Sequence, residues 1–357
     1  MSAGHSSTPR LPALKVIGAG ARTSLGFDLA SSAAAARAGL TAFADHPFMI
    51  DSSGLPMAVA RDAELALDLE RVERLARLAA AAAQDAFEQL QPHAARLPLM
   101  ILLALPRAGD AAGPVEPAVI AQAIQDALGD RASVVTIRAS HAGHVAGIAA
   151  AQAAAQAAAE GFDGHCLLLG VDTWLDAATL EWLDETELLA VRARPFGLVP
   201  GEAAAALLLA PRSAMPSERT RATIECGDCA RESEAALAPD QPRLGRALTA
   251  AARSTLRAFG SAGVQALYAD LNGIPERADE VGYSLVRVRE HLADDLRTVT
   301  PAEWFGDVGA ATVPLMVALA AEASAKGYGA GPAALILAQT LGTERGAMLL
   351  SLPQEPR

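Results

Sequence analysis

Apolar positions along the 357-residue chain fall into two kinds of run. Continuous apolar or β-branched runs at 14–19, 97–105, 134–137, 166–171 and 203–209 read as strands. The run at 97–105 is too uniform to keep a wet face, which predicts burial on both sides. Between these runs, 28–38 is a short Ala-rich helix and 115–128 is helical. Residues 62–90 place Leu65, Leu69, Val72, Leu75, Leu78, Ala79 and Ala82 at helical spacing, with Arg and Glu between them. A polar excursion runs through Trp174 and Trp182. Around 211–221 the composition shifts to Pro, Ser, Glu and Arg, as in a linker. The alternation then starts again. It gives a strand at 222–226, an amphipathic helix at 244–259, a short strand at 267–270, a charged helix at 287–292, a small-residue helix at 308–326, and a closing hairpin of 333–338 with 347–352. Strand and helix alternating twice over predict α/β layers with mostly parallel sheets. The shared order predicts an internal duplication. The expected units are a flexible tail at 1–12, a first half at 13–212 and a second half at 222–357.

The most informative local pattern is Ser140-His141-Ala142-Gly143-His144-Val145-Ala146-Gly147. It follows the β-branched strand at 134–137 and opens a helix built almost wholly of Ala and Gln. Strand, tight turn and small-residue helix present one side chain, and the first backbone amides, at a helix N-terminus. Such a turn can activate a nucleophile or hold an anion, because the orphan N–H groups and the helix dipole favour negative charge there. Here the side chain is His144, and no cysteine stands nearby.

Three stretches resemble the β-ketoacyl synthase family of the thiolase fold. Arg194-Pro195-Phe196 followed by Gly201-Glu202-Ala203 and the apolar run to Leu209 is similar to the family's Arg-Pro-Phe turn and Gly-Glu-Gly-Ala stretch, with the insertion between them shortened. The turn at His144, with Val145-Ala146-Gly147, resembles the surroundings of the family's catalytic cysteine. Phe305-Gly306-Asp307-Val308-Gly309-Ala310-Ala311 is similar to the Gly-His-x-x-Gly-Ala-Ala turn that carries a catalytic histidine. The resemblance covers nearly the whole chain. It implies a five-layer α-β-α-β-α fold made of two duplicated halves, assembled as a homodimer or as a heterodimer with a ketosynthase-like partner. It also implies acyl-carrier-protein or acyl-CoA thioesters as ligands, without a cofactor.

Carried over position by position, the resemblance puts His144 at the family's cysteine, and Asp270 and Asp307 at its two histidines. Asp270 lies in Leu267-Tyr268-Ala269-Asp270-Leu271-Asn272-Gly273, where the family runs Ala-His-Gly-Thr. The segment from Tyr268 to Tyr283 looks unlike ordinary ketosynthases. The second half holds a single histidine, His291, so two catalytic histidines cannot exist there in any alignment. The expectation is a ketosynthase-like protein without Cys-dependent condensing activity, acting as an acyl or acyl-carrier binding subunit or as a partner subunit. Two alternatives stay open. One is an acyltransferase or thioester hydrolase using His144 as base with Asp270 and Asp307, since flanking carboxylates stabilise imidazolium. The other is a structural scaffold in a multiprotein assembly. The same trio, with His141 three residues away, also has donors suited to a divalent cation, although a buried His144–Asp307 pair is the leading reading and no metal is expected.

Composition narrows this further. Hydrophobic residues make up 52 % of the chain and aromatics only 4 %, so the core is built from Ala, Leu, Val and Ile. A net charge of −12 argues against a nucleic-acid surface. It also means that an acidic carrier protein would need a local basic patch. The helix after His144 contains Gln152, Gln156 and Glu160 and lacks the bulk of a membrane span, and residues 1–12 have no signal-peptide core. Three cysteines make no disulfide framework, which suits a reducing cytoplasm. Cys226-Gly227-Asp228-Cys229 is a lone C-x-x-C, read here as two small buried thiols in a turn. Gly18-Ala19-Gly20 lacks the acidic partner of a dinucleotide site and reads as strand-end packing.

Overall fold

Side chains on a strand alternate between faces, and in this chain both faces are apolar. On the strand predicted at 97–105, Leu99, Ile101 and Leu103 enter one hydrophobic cluster, while Met100 and Leu102 enter another. That double burial requires helices on both sides of the sheet, and the computed structural model has them. It describes residues 11–90, 97–107, 113–211, 220–238, 241–257 and 263–354. The tail expected at 1–12 and the linker at 211–221 fall largely outside the described residues.

The first half runs β1 (Leu14–Thr23), α1 (Leu29–Arg37), a hairpin of β2 (Phe43–Ile50) and β3 (Pro56–Ala60), α2 (Arg71–Glu88), β4 (Leu97–Ala104), α3 (Pro117–Leu128), β5 (Ala132–Ser140), α4 (Ala146–Ala159), β6 (His165–Thr173), α5 (Ala177–Glu185) and β7 (Glu202–Pro211). The second runs β8 (Ala222–Arg231), α6 (Arg246–Leu256), β9 (Val264–Ala269), α7 (Pro275–Arg287), β10 (Leu292–Val299), α8 (Ala302–Phe305), α9 (Thr312–Ala325), β11 (Ala333–Gln339) and β12 (Glu344–Ser351).

The sheet order is β10-β9-β11-β12-β8-β1-β7-β6-β4-β5. Counting the sheet strands of each half separately, both halves read third, second, fourth, fifth, first from their outer edge, which is the signature of a duplication. They join through a short antiparallel pairing, Leu14↔Ile224 to Val16↔Ala222. Finer details repeat as well. Helices α3 and α7 each begin with proline after an extended residue, where the ring's fixed φ suits the first turn. Helices α4 and α9 each follow a 3-10 turn that opens on a left-handed glycine, Gly143 (φ 54°) and Gly309 (φ 49°).

Alanine and small side chains build the middle layer. Helices α4 and α9 share one cluster with the inward faces of both sheet halves. Helices α2 and α3 cover the outer face of the first half, and α6 and α7 that of the second. This is the five-layer α-β-α-β-α arrangement. At the crossing of α4 and α9 a Cβ on Gly147 would lie 2.7 Å from Pro314 Cδ and 2.9 Å from Val313 Cβ. Gly147→Ala is therefore expected to cost about 1–3 kcal/mol, as overpacking does, and a denaturant titration reads it directly. Each half also pins an outer-layer helix to the start of its fifth strand with a buried Arg–Glu fork, Arg74–Glu202 and Arg345–Glu280.

Several expectations change. The sheet is mixed rather than mostly parallel: β4–β5, β4–β6, β9–β10 and β9–β11 are parallel, while β1, β7, β8 and β12 pair antiparallel. The helix predicted at 62–90 starts only at Arg71, because Asp62 organises the preceding turn, accepting from Glu64 N and binding Arg22. The polar excursion contains α5, and Trp174 is buried there with Leu180, Leu183 and Leu198. The charged helix at 287–292 is the end of α7 and a 3-10 turn leading into β10.

Cys226 and Cys229 lie on strand β8, not in a turn. Their odd spacing sends them to opposite faces, Cys226 toward the outer cluster and Cys229 toward the central one. They can neither pair with each other nor share a metal. Burial pushes the Cys166 thiol up to about 11, and burial with Asp228 and Glu344 pushes Cys229 up to about 12. Both are thiols rather than thiolates at neutral pH. Iodoacetamide mapping at pH 8 is expected to leave both unlabelled in the native protein and to label both after denaturation. No helix among the described residues is long and apolar enough to cross a membrane.

Candidate functional site

The C-terminal ends of parallel strands converge on the N-termini of the two central helices, the position where α/β sheets place ligands. His144 sits in the 3-10 turn between β5 and α4. Asp270 directly follows β9, and Asn272 lies in the loop before α7. Arg277 is in the first turn of α7, Asp307 precedes the 3-10 turn into α9, and Gln339 ends β11. His144, Asp270 and Asp307 are each 3 % exposed.

Asp307 is the hub of this cluster. Its Oδ1 accepts from His144 Nε2 at 2.7 Å and from the Gly309 amide at 2.9 Å, and its Oδ2 accepts from Asn272 Nδ2 at 2.6 Å. Burial alone would raise this carboxyl. The charge and hydrogen bond of His144, the Arg277 charge and the Gly309 amide outweigh it and hold Asp307 well below the usual carboxylate range. It is a fixed anion at any ordinary pH.

Asp270 is held differently. Arg277 Nη1 donates to Asp270 Oδ2 at 2.9 Å and to the Asp270 carbonyl at 3.2 Å, and the Gln339 amide also donates to Oδ2. Gln339 Nε2 donates to the Arg277 carbonyl at 3.2 Å, locking the start of α7 to the end of β11. Burial pushes the Asp270 carboxyl up, with Arg277 and His144 opposing it. Arg277 Nη2 stands 3.4 Å from His144 Nε2. With the Nε2 proton donated to Asp307, that approach is a guanidinium–imidazole contact.

The three residues marked in the sequence are thus gathered at one place, but they do not form a histidine flanked by two carboxylates. Arg277 is bound to Asp270 and approaches the same His144 nitrogen, so one carboxylate serves the imidazole and the other serves the guanidinium. Arg277 supplies the cation that balances Asp270. Among the described residues no group of three or more His, Cys, Asp or Glu side chains is arranged to hold a metal, His141 included. The remaining space, lined by His144, Asp270, Asn272, Asp307, Thr312 and Met316, is about 10 Å³. One water needs roughly 10–15 Å³. Asn272, Arg277 and Gln339 were not marked in the sequence. Nor was Trp174 as a neighbour of His144, its ring centroid 6.1 Å from the imidazole.

Solved structures with this architecture include ketosynthases. The ishigamide ketosynthase/chain length factor superposes with a TM-score of 0.72 at 18 % identity, over 95 % of this chain and 99 % of that one. A type II PKS acyl-carrier protein in complex with its ketosynthase bound to the hexaketide gives 0.77 at 14 %, over 97 % and 100 %. The ketosynthase from module 6 of the bacillaene synthase of Bacillus subtilis 168 gives 0.76 at 12 %, over 96 % of this chain and 72 % of that one. No protein-family model matches the chain, and no curated protein matches it in sequence. The chain has the thiolase-like ketosynthase fold.

Proposed function

We propose that this protein is a ketosynthase-like subunit without Cys-dependent condensing chemistry, working as a partner subunit that binds an acyl group or acyl-carrier protein. The observation that carries the reading is His144, which stands where the resemblance expects a nucleophile and is tied to Asp307 in a network that leaves about 10 Å³ beside it. Thioester exchange needs a thiolate or activated hydroxyl, an oxyanion hole and room for the acyl carbon. The cluster offers imidazole, carboxylates and guanidinium bound to one another, with Asp270 Oδ1 and Arg277 Nε left without a hydrogen-bond partner among the described residues.

A second copy or a ketosynthase-like partner has a natural docking edge in β5. This nine-residue strand borders the sheet and leaves Val135 and Ile137 exposed, and an uncovered edge of that length is a template for pairing. Sedimentation analysis, alone and with a ketosynthase-like partner, is expected to show a dimer that Val135→Lys weakens.

Intact-mass spectrometry after incubation with acyl-carrier-protein and acyl-CoA thioesters is expected to show no stable adduct and no condensation product. An adduct with condensation product overturns the reading. Thioester turnover lost in His144→Ala and kept in Cys166→Ala would replace it with a hydrolase or acyltransferase based on His144.

A further inference from the structure

A second and larger cavity, about 270 Å³, lies beside the C-terminal half of α9 and shares no lining residue with the space beside His144. It forms where α1 of the first half meets β9, β10 and α9 of the second. Its volume comes from what the walls lack: Ala33 and Ala36 on α1, Ala266 on β9 and Ala323 on α9 end at Cβ. Aromatic faces supply the rest, from Trp304, Tyr268 and Tyr328. Tyr268 is 5 % exposed, and burial pushes its phenol above the ordinary value, so it stays a neutral hydrogen-bonding group.

The rim has one sign of charge. Arg37 and Arg297 line it, both exposed, and no Asp or Glu among the described residues does. Arg37 lies over the Tyr328 ring, 4.6 Å from its centroid, which holds the guanidinium at the mouth. On a chain of net charge −12, two arginines at the mouth of an apolar cavity are a local reversal of sign. The size is selective too. A dry apolar cavity of about 150 Å³ takes a benzene-sized guest, and sites for larger ligands run from roughly 300 Å³ upward.

We propose that this cavity binds a medium-chain fatty carboxylate, with its tail against the alanine wall and Trp304 and its carboxylate at Arg37 and Arg297. A guanidinium suits this head because its parallel N–H groups match the two carboxylate oxygens. The site shares no lining residue with the space beside His144, and the inference stands whether or not the partner-subunit reading holds.

Isothermal titration of the full chain with octanoate and with neutral octanamide tests it. Octanoate is expected to bind one-to-one, at least tenfold more tightly than octanamide. The double variant Arg37→Ala/Arg297→Ala should weaken octanoate at least tenfold and leave octanamide unchanged. Both side chains are exposed, and an unchanged melting curve confirms that the variant is folded. In a Trp174→Phe/Trp182→Phe background, octanoate should alter the fluorescence of Trp304. Absence of octanoate binding, equal affinity for the two probes, or octanoate binding that the double variant leaves intact each overturns the proposal. Octanoate is not a thioester, so these outcomes are independent of the acyl-adduct experiment.

Discussion

Glu202→Ala is expected to cost about 3–5 kcal/mol of folding stability, the usual consequence of removing one partner from a buried ion pair. Glu202 is fully buried and Arg74 is 5 % exposed. Arg74 Nε and Nη2 donate to the two carboxylate oxygens at 2.5 and 3.2 Å. The same carboxylate accepts from the Asp62 amide at 2.8 Å and from Thr173 Oγ1 at 3.0 Å. Alanine would strand a guanidinium, an amide and a hydroxyl together in the interior. Glu202→Gln keeps the shape but removes the charge opposite Arg74, so it should fall between wild type and alanine. Denaturant titration reads both. Glu280→Ala, which strands the buried Arg345 in the second half, should lose stability on the same scale. Equal stability of Glu202→Ala and wild type would show that the fork does not hold α2 to β7.

Glu202 also shows what could be read before the structure. It lies in a Gly-Glu stretch that resembles a family motif, and the motif gave its place in the fold but not its work. The work is structural: the glutamate joins α2, the Asp62 turn, β6 and β7. Strands with two apolar faces were legible because burial on both faces leaves continuous apolar runs, as at 97–105. The hairpin of β2 and β3 was not, because β2 is exposed along most of its length and carries Asp45, His46 and Pro47. The C-x-x-C was misread because Gly227-Asp228 looks like a turn, whereas the ladder from Glu344↔Arg231 to Leu349↔Cys226 keeps the backbone extended.

In the candidate site, His144 was legible from its place in a strand–turn–helix pattern, and Asp270 and Asp307 from the family resemblance alone. Arg277 was not. By sequence it is one more arginine at the start of an amphipathic helix, and only the placement of α7 against β11 turns it inward. It is also the residue that separates a flanked histidine from two distinct pairs. Sequence position could therefore locate the centre of the fold but not the chemistry that fills it.

The pH dependence of stability is the second large effect expected, and Asp307 is its source. A carboxyl held below its unfolded value contributes stability that is fully present above about pH 3.9, the ordinary value for aspartate. That contribution is lost as pH falls through the depressed folded value, because the unfolded chain then binds the proton first. Asp307→Asn removes it and leaves His144 Nε2, the Gly309 amide and Asn272 Nδ2 facing an amide with a single good acceptor. At pH 7 the variant is expected to be less stable by about 2–4 kcal/mol, the range between one charge-assisted bond and a broken buried pair. The gap should close as the pH is lowered from about 5 toward 2, since wild type loses there what the variant never had. Urea titrations of both proteins across that range test the claim. A gap that stays constant with pH would mean that the His144–Asp307 pair contributes shape rather than charge.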